Sequence, residues 1–311
     1  MRTRITTAGL LLALLYFALP AAAQETHKFA DRDTCSLYLD IYRPAPDAVR
    51  TIDGKEKPVV LFVFGGGFVM GSRNEPSTVP WFQKLAAEGY PVVAIDYRLG
   101  MKGYKVGKGL SNMAKASNRF LLSQQIGVED VFSAISFLAE KREQLGLDPD
   151  NIVIAGSSAG AIISLAAAYA VANGEARGLP EGFRFKGVMS FSGALISTTG
   201  APRFKESPCP VLFLHGTEDK VVAYRHYGAF GRGVWGSDYL AEQFSKNGWP
   251  CCICRFKGKD HVVAAYMRHI WPIEKEFLEK AVTQGVALDV DALIDDPSLP
   301  VWRKFTLDDI Y

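Results

Sequence analysis

The sequence predicts an α/β fold: a mostly parallel twisted sheet with helices on both faces. Three observations predict it. Short apolar runs alternate with longer amphipathic ones along most of the chain. Several short runs, with PVVLFVF at 58–64 foremost, are apolar without a break, as strands buried on both faces are. Small residues gather where those runs end, at Phe64-Gly65-Gly66-Gly67-Phe68 and at Gly156-Ser157-Ser158-Ala159-Gly160. In such sheets, chemistry sits in the loops beyond the carboxyl ends of the strands.

The elements follow in order. Leu37, Leu39 and Ile41 alternate with polar residues, which predicts a half-exposed strand. Residues 58–64 are a buried strand, 81–88 a helix stopped at Gly89, and 91–95 a second buried strand. Val131, Ala134, Ile135 and Leu138 share one helical face within 128–145. A strand at 151–155 leads to a helix at 159–171, and a strand follows at 185–192. A strand at 210–215, a helix at 238–246, a strand at 251–256 and a helix at 269–281 complete the alternation. Alternating strands and helices imply right-handed crossovers and a sheet covered on both sides. The stretch 100–125, polar and rich in Gly, Asn and Lys, is expected to be a flap over the site.

Composition excludes several classes. Of 311 residues, 48% are hydrophobic and 22% charged, the balance of a globular protein rather than a disordered chain, a collagen or a long coiled coil. The net charge is +2 with no basic stripe, so no nucleic-acid partner is expected. Arg2 and Arg4, the apolar run 10–19 and Ala21-Ala22-Ala23 form the pattern of a secretory signal peptide cut after Ala23. That run is shorter than the ~20 residues of a spanning helix, so no membrane span is expected after cleavage. Losing Arg2 and Arg4 from 35 basic residues leaves 33 against 33 acidic ones, a nearly neutral exported protein, periplasmic or secreted. The expected organisation is a signal peptide at 1–23, one α/β domain at 24–283 and an extension at 284–311 packed on it.

Five cysteines remain: Cys35, Cys209, Cys251, Cys252 and Cys254. An odd number leaves at least one thiol over in an oxidising compartment. Cys251, Cys252 and Cys254 lack a second Cys/His cluster at zinc spacing and lie in an apolar run, so they read as strand core. The extension carries Asp289, Asp291, Asp295 and Asp296 but lacks the glycine and terminal glutamate of a calcium loop. It reads as an extended tail held by Trp302 and Phe305, or as a small partner contact.

Gly156-Ser157-Ser158-Ala159-Gly160 fits G-x-S-x-G, follows the strand NIVIA and opens a helix. Its small residues suit a tight strand-to-helix turn that presents Ser158 at the top of the sheet. A serine hydroxyl needs a general base, and the base an orienting carboxylate. After Ser158 the chain has His215, His226, His261 and His269. His215 precedes the expected acid at a strand end and reads as structural. His226 falls in a loop or short helix, and His269 falls inside the last helix. His261 follows a strand, as a base should. In Leu214-His215-Gly216-Thr217-Glu218-Asp219, Asp219 is the preferred acid and Glu218 its rival; Asp260 is too close to His261 in sequence to face it. The glycines after Phe64 leave backbone N–H groups open to an oxyanion, together with the N–H of Ala159. No Lys-Ser or Lys-Thr follows them, so a phosphate loop is not matched.

With these motifs in order, the chain resembles the α/β-hydrolase superfamily, in its secreted carboxylesterase/lipase-like branch, from about Leu37 to about Leu278. Asp96-Tyr97-Arg98-Leu99 is similar to the D-Y-R-L segment of that branch, with Asp96 and Arg98 expected to fix loops. His215-Gly216, Asp219 and Val222 are similar to its acid loop. The resemblance implies a triad of Ser158, Asp219 and His261, and oxyanion donors at Gly66, Gly67 and Ala159. One position departs: Phe64 stands where H-G-G-G carries His, and is expected to hold the loop by packing.

The implied function is a serine carboxylic-ester hydrolase acting through an acyl-enzyme. It needs no cofactor and no metal, so its activity should survive a chelator. The expected substrate is a small-molecule or polysaccharide-linked ester, with acetyl and feruloyl esters suggested by analogy. Tyr227, Phe230, Trp235 and Tyr239 either line an acyl or aryl pocket or pack their loop onto the body. A peptidase of the same fold, or a non-catalytic binding protein on this scaffold, are the rival readings.

Overall fold

The computed structural model describes residues 24–107 and 109–301. The expected signal peptide, and Trp302 and Phe305 of the extension, lie outside the described residues. Along the chain run β1 (Gln24–Arg32), β2 (Cys35–Tyr42), the small hairpin β3 (Thr51–Ile52) and β4 (Lys55–Glu56), β5 (Val59–Val63), α1 (Val79–Ala87) and β6 (Val92–Ile95). There follow α2 (Leu110–Glu140), α3 (Arg142–Leu145), β7 (Ile152–Ser157), α4 (Ala159–Ala172), β8 (Gly187–Phe191), β9 (Ala194–Ser197) and β10 (Val211–Gly216). The chain continues through β11 (His226–Ala229), β12 (Arg232–Gly236), α5 (Ser237–Lys246), β13 (Cys252–Phe256), α6 (Trp271–Glu276) and β14 (Val290–Ile294).

The main sheet has nine strands in the order β1-β2-β6-β5-β7-β8-β10-β13-β14. From β6 to β14 every pairing is parallel; only β1 and β2 run against their neighbours. The unbroken apolar runs occupy its centre. All five residues of β5 are buried, as are all five of β8 and the first five of β7. Covering such a strand on both sides removes alternation from its sequence. Helix α4 is likewise buried around most of its circumference, which is why AGAIISLAAAYAVA shows no polar stripe. Its small residues let it lie close to the sheet and to α2, where a Cβ on Gly127 would stand 2.5 Å from Ile163.

Three differences from the sequence reading have physical causes. The expected flap at 100–125 is half helix. The glycines cluster at 100, 103, 107 and 109, and beyond them α2 starts at Leu110. Residues 110–126 hold neither Gly nor Pro, and a polar helix face is read as loop when averaged with its glycine-rich neighbour. His269 lies in a turn, not in the last helix, because Pro272 sets a helix start at Trp271. That helix continues in π-helical form over Phe277–Gln284. Finally, His226 lies on β11, which with β12 and β9 makes a separate antiparallel sheet. Trp235 on β12 is buried, whereas Tyr227 and Phe230 project into solvent.

The extension contributes the edge strand β14, parallel to β13. Its carboxylates hold cations of the neighbouring strand: Asp291 binds Arg255 and Asp295 binds Lys257. Further on, Leu299 is buried and the Pro300 carbonyl accepts from the Tyr266 hydroxyl at 2.7 Å. Cys252 and Cys254 are buried in β13, with Cys251 just before it, and all five cysteines are free thiols. Among the described residues no three His, Cys, Asp or Glu side chains are grouped to hold a metal.

Candidate active site

The carboxyl ends of β5, β7, β10 and β13 carry the residues that the sequence singled out. Between β7 and α4 the chain turns at Ser158, whose φ of 51° and ψ of −117° lie outside the ordinary regions for a non-glycine residue. Such strain is held only where the surroundings over-determine it. Here the backbone N–H of Ser158 donates to the Phe191 carbonyl on β8 at 2.8 Å. Gly160 lies so close to β5 that a Cβ there would stand 2.0 Å from the Val63 carbonyl oxygen. Side chains at these positions would push strand and helix apart, which explains the small residues of the motif.

The turn brings Ser158 Oγ to 2.8 Å from His261 Nε2, and His261 Nδ1 lies 2.7 Å from Asp219 Oδ2. Ser158 and Asp219 are buried and the His261 side chain is 11% exposed. Glu218, the rival acid, points to solvent, while its backbone N–H donates to the Lys259 carbonyl at 2.9 Å. Asp219 Oδ1 accepts the backbone N–H groups of Val221 and Val222 at 2.9 and 3.0 Å. Burial by itself would raise the Asp219 pKa, but hydrogen bonds from His215 and His261 outweigh it and hold the carboxyl well below the usual carboxylate range. A hydroxyl bonded to an imidazole that a buried carboxylate orients is the arrangement that activates a serine.

Two further contacts fit the loops together. Ser157 Oγ donates to the Ala264 carbonyl at 2.7 Å, pinning the turn that starts at His261 to the serine turn. Asp260 accepts from Val262 N–H at 3.1 Å and caps that turn. Gly216 lets the acid loop and the histidine loop touch: a Cβ there would stand 2.3 Å from the carbonyls of both Lys259 and Asp260.

Facing Ser158 is the loop that follows β5. Gly66, Gly67 and Phe68 all have positive φ, at 114°, 64° and 62°. The Gly66 carbonyl accepts from Val69 and Met70, closing a tight turn. A Cβ on Gly65 would stand 3.3 Å from Ser158 Cβ, so the loop packs directly on the serine turn. Ala159 opens α4, and its N–H, in the first turn, has no partner within the helix. Phe64 is buried and stacks on Tyr97 with ring centroids 4.4 Å apart, and the Tyr97 hydroxyl donates to the Phe64 carbonyl at 3.2 Å. The loop is thus anchored by an aromatic stack. Asp96 pairs with Arg73, and Arg98 with Asp130 and Glu129, so both hold loops.

His215, which reads from the sequence as a structural residue at a strand end, has its ring 3.2 Å from Asp219. Ser157, Gly216 and Asp260 were likewise passed over as supports. The one signal for them was adjacency to the motifs.

The parallel sheet, the strand-to-helix serine turn and the loops beyond the strand ends define an α/β-hydrolase fold. The chain belongs to the carboxylesterase family: the family model matches residues 19–201, more than half of it. The match includes the glycine loop and Ser158 but ends before Asp219 and His261. The chain is similar to the para-nitrobenzyl esterase of Bacillus subtilis (strain 168), 33% identical over 162 residues, 52% of this chain and 28% of that protein. It is also similar to the chlorogenic acid esterase of Aspergillus niger, 30% identical over 179 residues, 57% of this chain and 29% of that one. "Secreted lipase 1" of Botryotinia fuckeliana is 34% identical over 128 residues, 40% of this chain and 20% of its own. The matched segments thus span less than a third of these relatives. Esterase 2 of Thermogutta terrifontis, solved phosphoramylated by tabun, superposes over 85% of this chain and 97% of its own with a TM-score of 0.58 at 22% identity. That likeness is one of fold.

Proposed function

We propose that the chain is a serine carboxylic-ester hydrolase with Ser158 as nucleophile, His261 as general base and acid, and Asp219 as the carboxylate that orients it. The observation that carries this reading is the unbroken hydrogen-bond chain from Ser158 Oγ through His261 to Asp219, at 2.8 and 2.7 Å. His261 takes the Ser158 proton as Oγ attacks the ester carbonyl. The negative oxygen forms against the N–H groups of Gly66, Gly67 and Ala159; a donor of this kind is worth about 10²–10³ in turnover. His261 then protonates the leaving alcohol. Water, deprotonated by the same ring, releases the acid and restores Ser158. Asp219 fixes the tautomer that places the free Nε2 lone pair towards Oγ and stabilises the imidazolium.

The substrates we propose are small-molecule or polysaccharide-linked esters met outside the cytoplasm, with acetyl and feruloyl esters as the first to try. Support comes from the signal-peptide pattern at 1–23 and from relatives named as secreted lipase and chlorogenic acid esterase. The test is hydrolysis of p-nitrophenyl acetate, butyrate and octanoate and of a feruloyl ester, with Ser158→Ala beside the wild type and peptide anilides in the same panel. Ester hydrolysis that vanishes in the variant supports the reading, and the chain-length profile sizes the acyl site. Cleavage of anilides alone would move the assignment to a peptidase, and inertness towards all of them would favour a binding protein.

A further inference from the structure

We infer that His215 is a positioning residue of the triad, an inner histidine that holds Asp219 at the same carboxylate oxygen that His261 contacts; this rests on the ester-hydrolase reading above. His215 is completely buried at the end of β10, four residues before Asp219. Its Nε2 lies 3.2 Å from Asp219 Oδ2, the oxygen that His261 also contacts, and 3.1 Å from the Val222 carbonyl. Its Nδ1 lies 2.8 Å from Ser237 Oγ.

The proton count fixes the tautomer. Nε2 faces two acceptors and no donor, a carboxylate oxygen and a carbonyl oxygen, so it carries the proton. In the neutral ring Nδ1 is then an acceptor, and Ser237 must donate its single hydroxyl proton to it. The Gly193 carbonyl, 3.3 Å from Ser237 Oγ, is the longer and weaker alternative. The result is a relay of fixed direction: Ser237 O–H to His215, and His215 N–H to Asp219 and Val222.

This relay completes the Asp219 shell. Oδ1 takes the two backbone N–H groups of Val221 and Val222, and Oδ2 takes the His261 N–H and lies 3.2 Å from His215 Nε2, whose N–H it shares with the Val222 carbonyl. A carboxylate has about four such sites, and here all are used. By gripping both Oδ2 and the Val222 carbonyl, His215 fixes the carboxylate and the turn that carries it. By sharing Oδ2 it also draws off part of the charge that would otherwise act on His261. The other ionisable groups around the ring are Tyr224, edge-on at 5.6 Å, and Arg255, in register on β13 and tied to Tyr224, Asp238 and Asp291. Asp260 approaches Gly216 only through its backbone carbonyl.

The experiment compares His215→Phe, which keeps a ring and removes the donor, with His215→Gln, whose amide N–H reaches the Nε2 position, and with Ser237→Ala. Two quantities are read in each variant: kcat and KM on p-nitrophenyl acetate, and the resonance of the His261 Nδ1–H, which bonds Asp219, by NMR of ¹⁵N-histidine-labelled protein. In His215→Phe, kcat is expected to fall about tenfold or more with KM within about twofold, because only the developing imidazolium uses the held carboxylate. With one donor gone, Asp219 becomes a stronger acceptor for the His261 Nδ1–H, so the resonance of that proton is expected to move downfield. His215→Gln should recover most of both changes. Ser237→Ala, which touches only Nδ1, should shift both in the same direction by less. An unchanged His261 Nδ1–H resonance in His215→Phe, or equal losses in the Phe and Gln variants, would overturn the assignment and leave His215 as packing. The NMR measurement does not need turnover. If the wild type is inert towards esters but the His261 shift is seen, the positioning role stands and the ester-hydrolase reading fails. Should the Phe variant not fold, the Gln and Ser237→Ala variants still decide: wild-type kcat and a wild-type His261 Nδ1–H resonance in Ser237→Ala would refute the relay.

Discussion

Gly160→Ala isolates how the serine turn is fitted to the sheet. The added Cβ would meet the Val63 carbonyl oxygen at 2.0 Å and the Phe64 carbonyl oxygen at 2.5 Å, where ordinary contact begins at 3.4 Å. Both obstacles are backbone atoms at the end of β5, which is hydrogen-bonded to β6 on one side and β7 on the other. Neither can rotate away as a side chain can. Relief therefore needs α4 and β5 to part by about an ångström, and overpacking of this kind costs about 1–3 kcal/mol. Alanine's better helix propensity returns at most about 1 kcal/mol. A net loss of about 1–2 kcal/mol should lower the melting temperature by roughly 2–3 °C in a chain of this size. The same movement separates Ser158 from the Gly66–Gly67 loop, because that loop continues β5. A misplacement of about 1 Å at a reacting centre can cost up to about 10² in rate. The assays are urea denaturation and kcat on p-nitrophenyl acetate. Gly160→Ala with the wild-type urea midpoint and wild-type kcat would refute the claim that close backbone approach is what the glycine provides.

Two more outcomes follow from the packing. Phe64→Ala removes a buried ring from its stack on Tyr97 and should destabilise by about 3–5 kcal/mol, with a loss of kcat in the fraction that stays folded; retained stability would show that the loop is held by other contacts. Burial pushes the thiols of Cys251 and Cys254 up to about 12 and that of Cys252 up to about 11, whereas Cys35 is exposed. Only the thiolate reacts, so at pH 8 Cys35 should label with iodoacetamide and the three β13 thiols should not until urea is added. Early labelling of a β13 cysteine would contradict its placement in the core.

The sheet's parallel body was legible because a strand covered on both faces must be apolar throughout, and runs such as VVLFV and IVIA meet that demand without ambiguity. The serine turn was legible for a similar reason, since a tight strand-to-helix turn leaves room only for small residues. The edges were not. In β14, VDALI is apolar but for Asp291, yet it is largely exposed at the sheet edge, where it pairs with β13; so short a run after the helix end at Gly285 does not tell an edge strand from a tail. The hairpin β11–β12 is built from Gly228, Gly231 and Gly233 among polar and aromatic residues, which read as loop until β9 supplies a third strand. His215 was missed because its function lies in a donor–acceptor pattern. Whether a histidine at a strand end meets a carboxylate, a carbonyl or nothing depends on the turn from Gly216 to Val222, and spacing alone does not fix that path.

Glu274 shows the same dependence on three-dimensional context. It is completely buried on α6, where Trp81 Nε1 donates to its Oε2 at 2.7 Å and its Oε1 has no hydrogen-bond partner among the described residues. Trp81 itself lies within a ring cluster with Phe62, Phe82 and Phe191. Burial without a cation pushes the carboxyl pKa well above its ordinary 4.5, and the Trp81 hydrogen bond offsets only part of this. The carboxyl therefore keeps its proton to higher pH in the folded chain than in the unfolded one. Above 4.5 the unfolded chain releases a proton that the folded chain keeps, so stability falls as pH rises, by about 1.4 kcal/mol per unit, until the folded pKa is passed. Below 4.5 the contribution is fully present. Glu274→Gln keeps the acceptor for Trp81 and removes the titration. At pH 4.5 the variant should match the wild type or fall slightly below it, because a second amide N–H goes unpaired where the acid had one O–H. As pH rises above 4.5 the wild type should lose ground to it, and the two urea midpoints should cross. Midpoints that differ by the same amount at every pH from 5 to 8 would mean that Glu274 ionises alike in both states, and that its burial is bridged by some route to water.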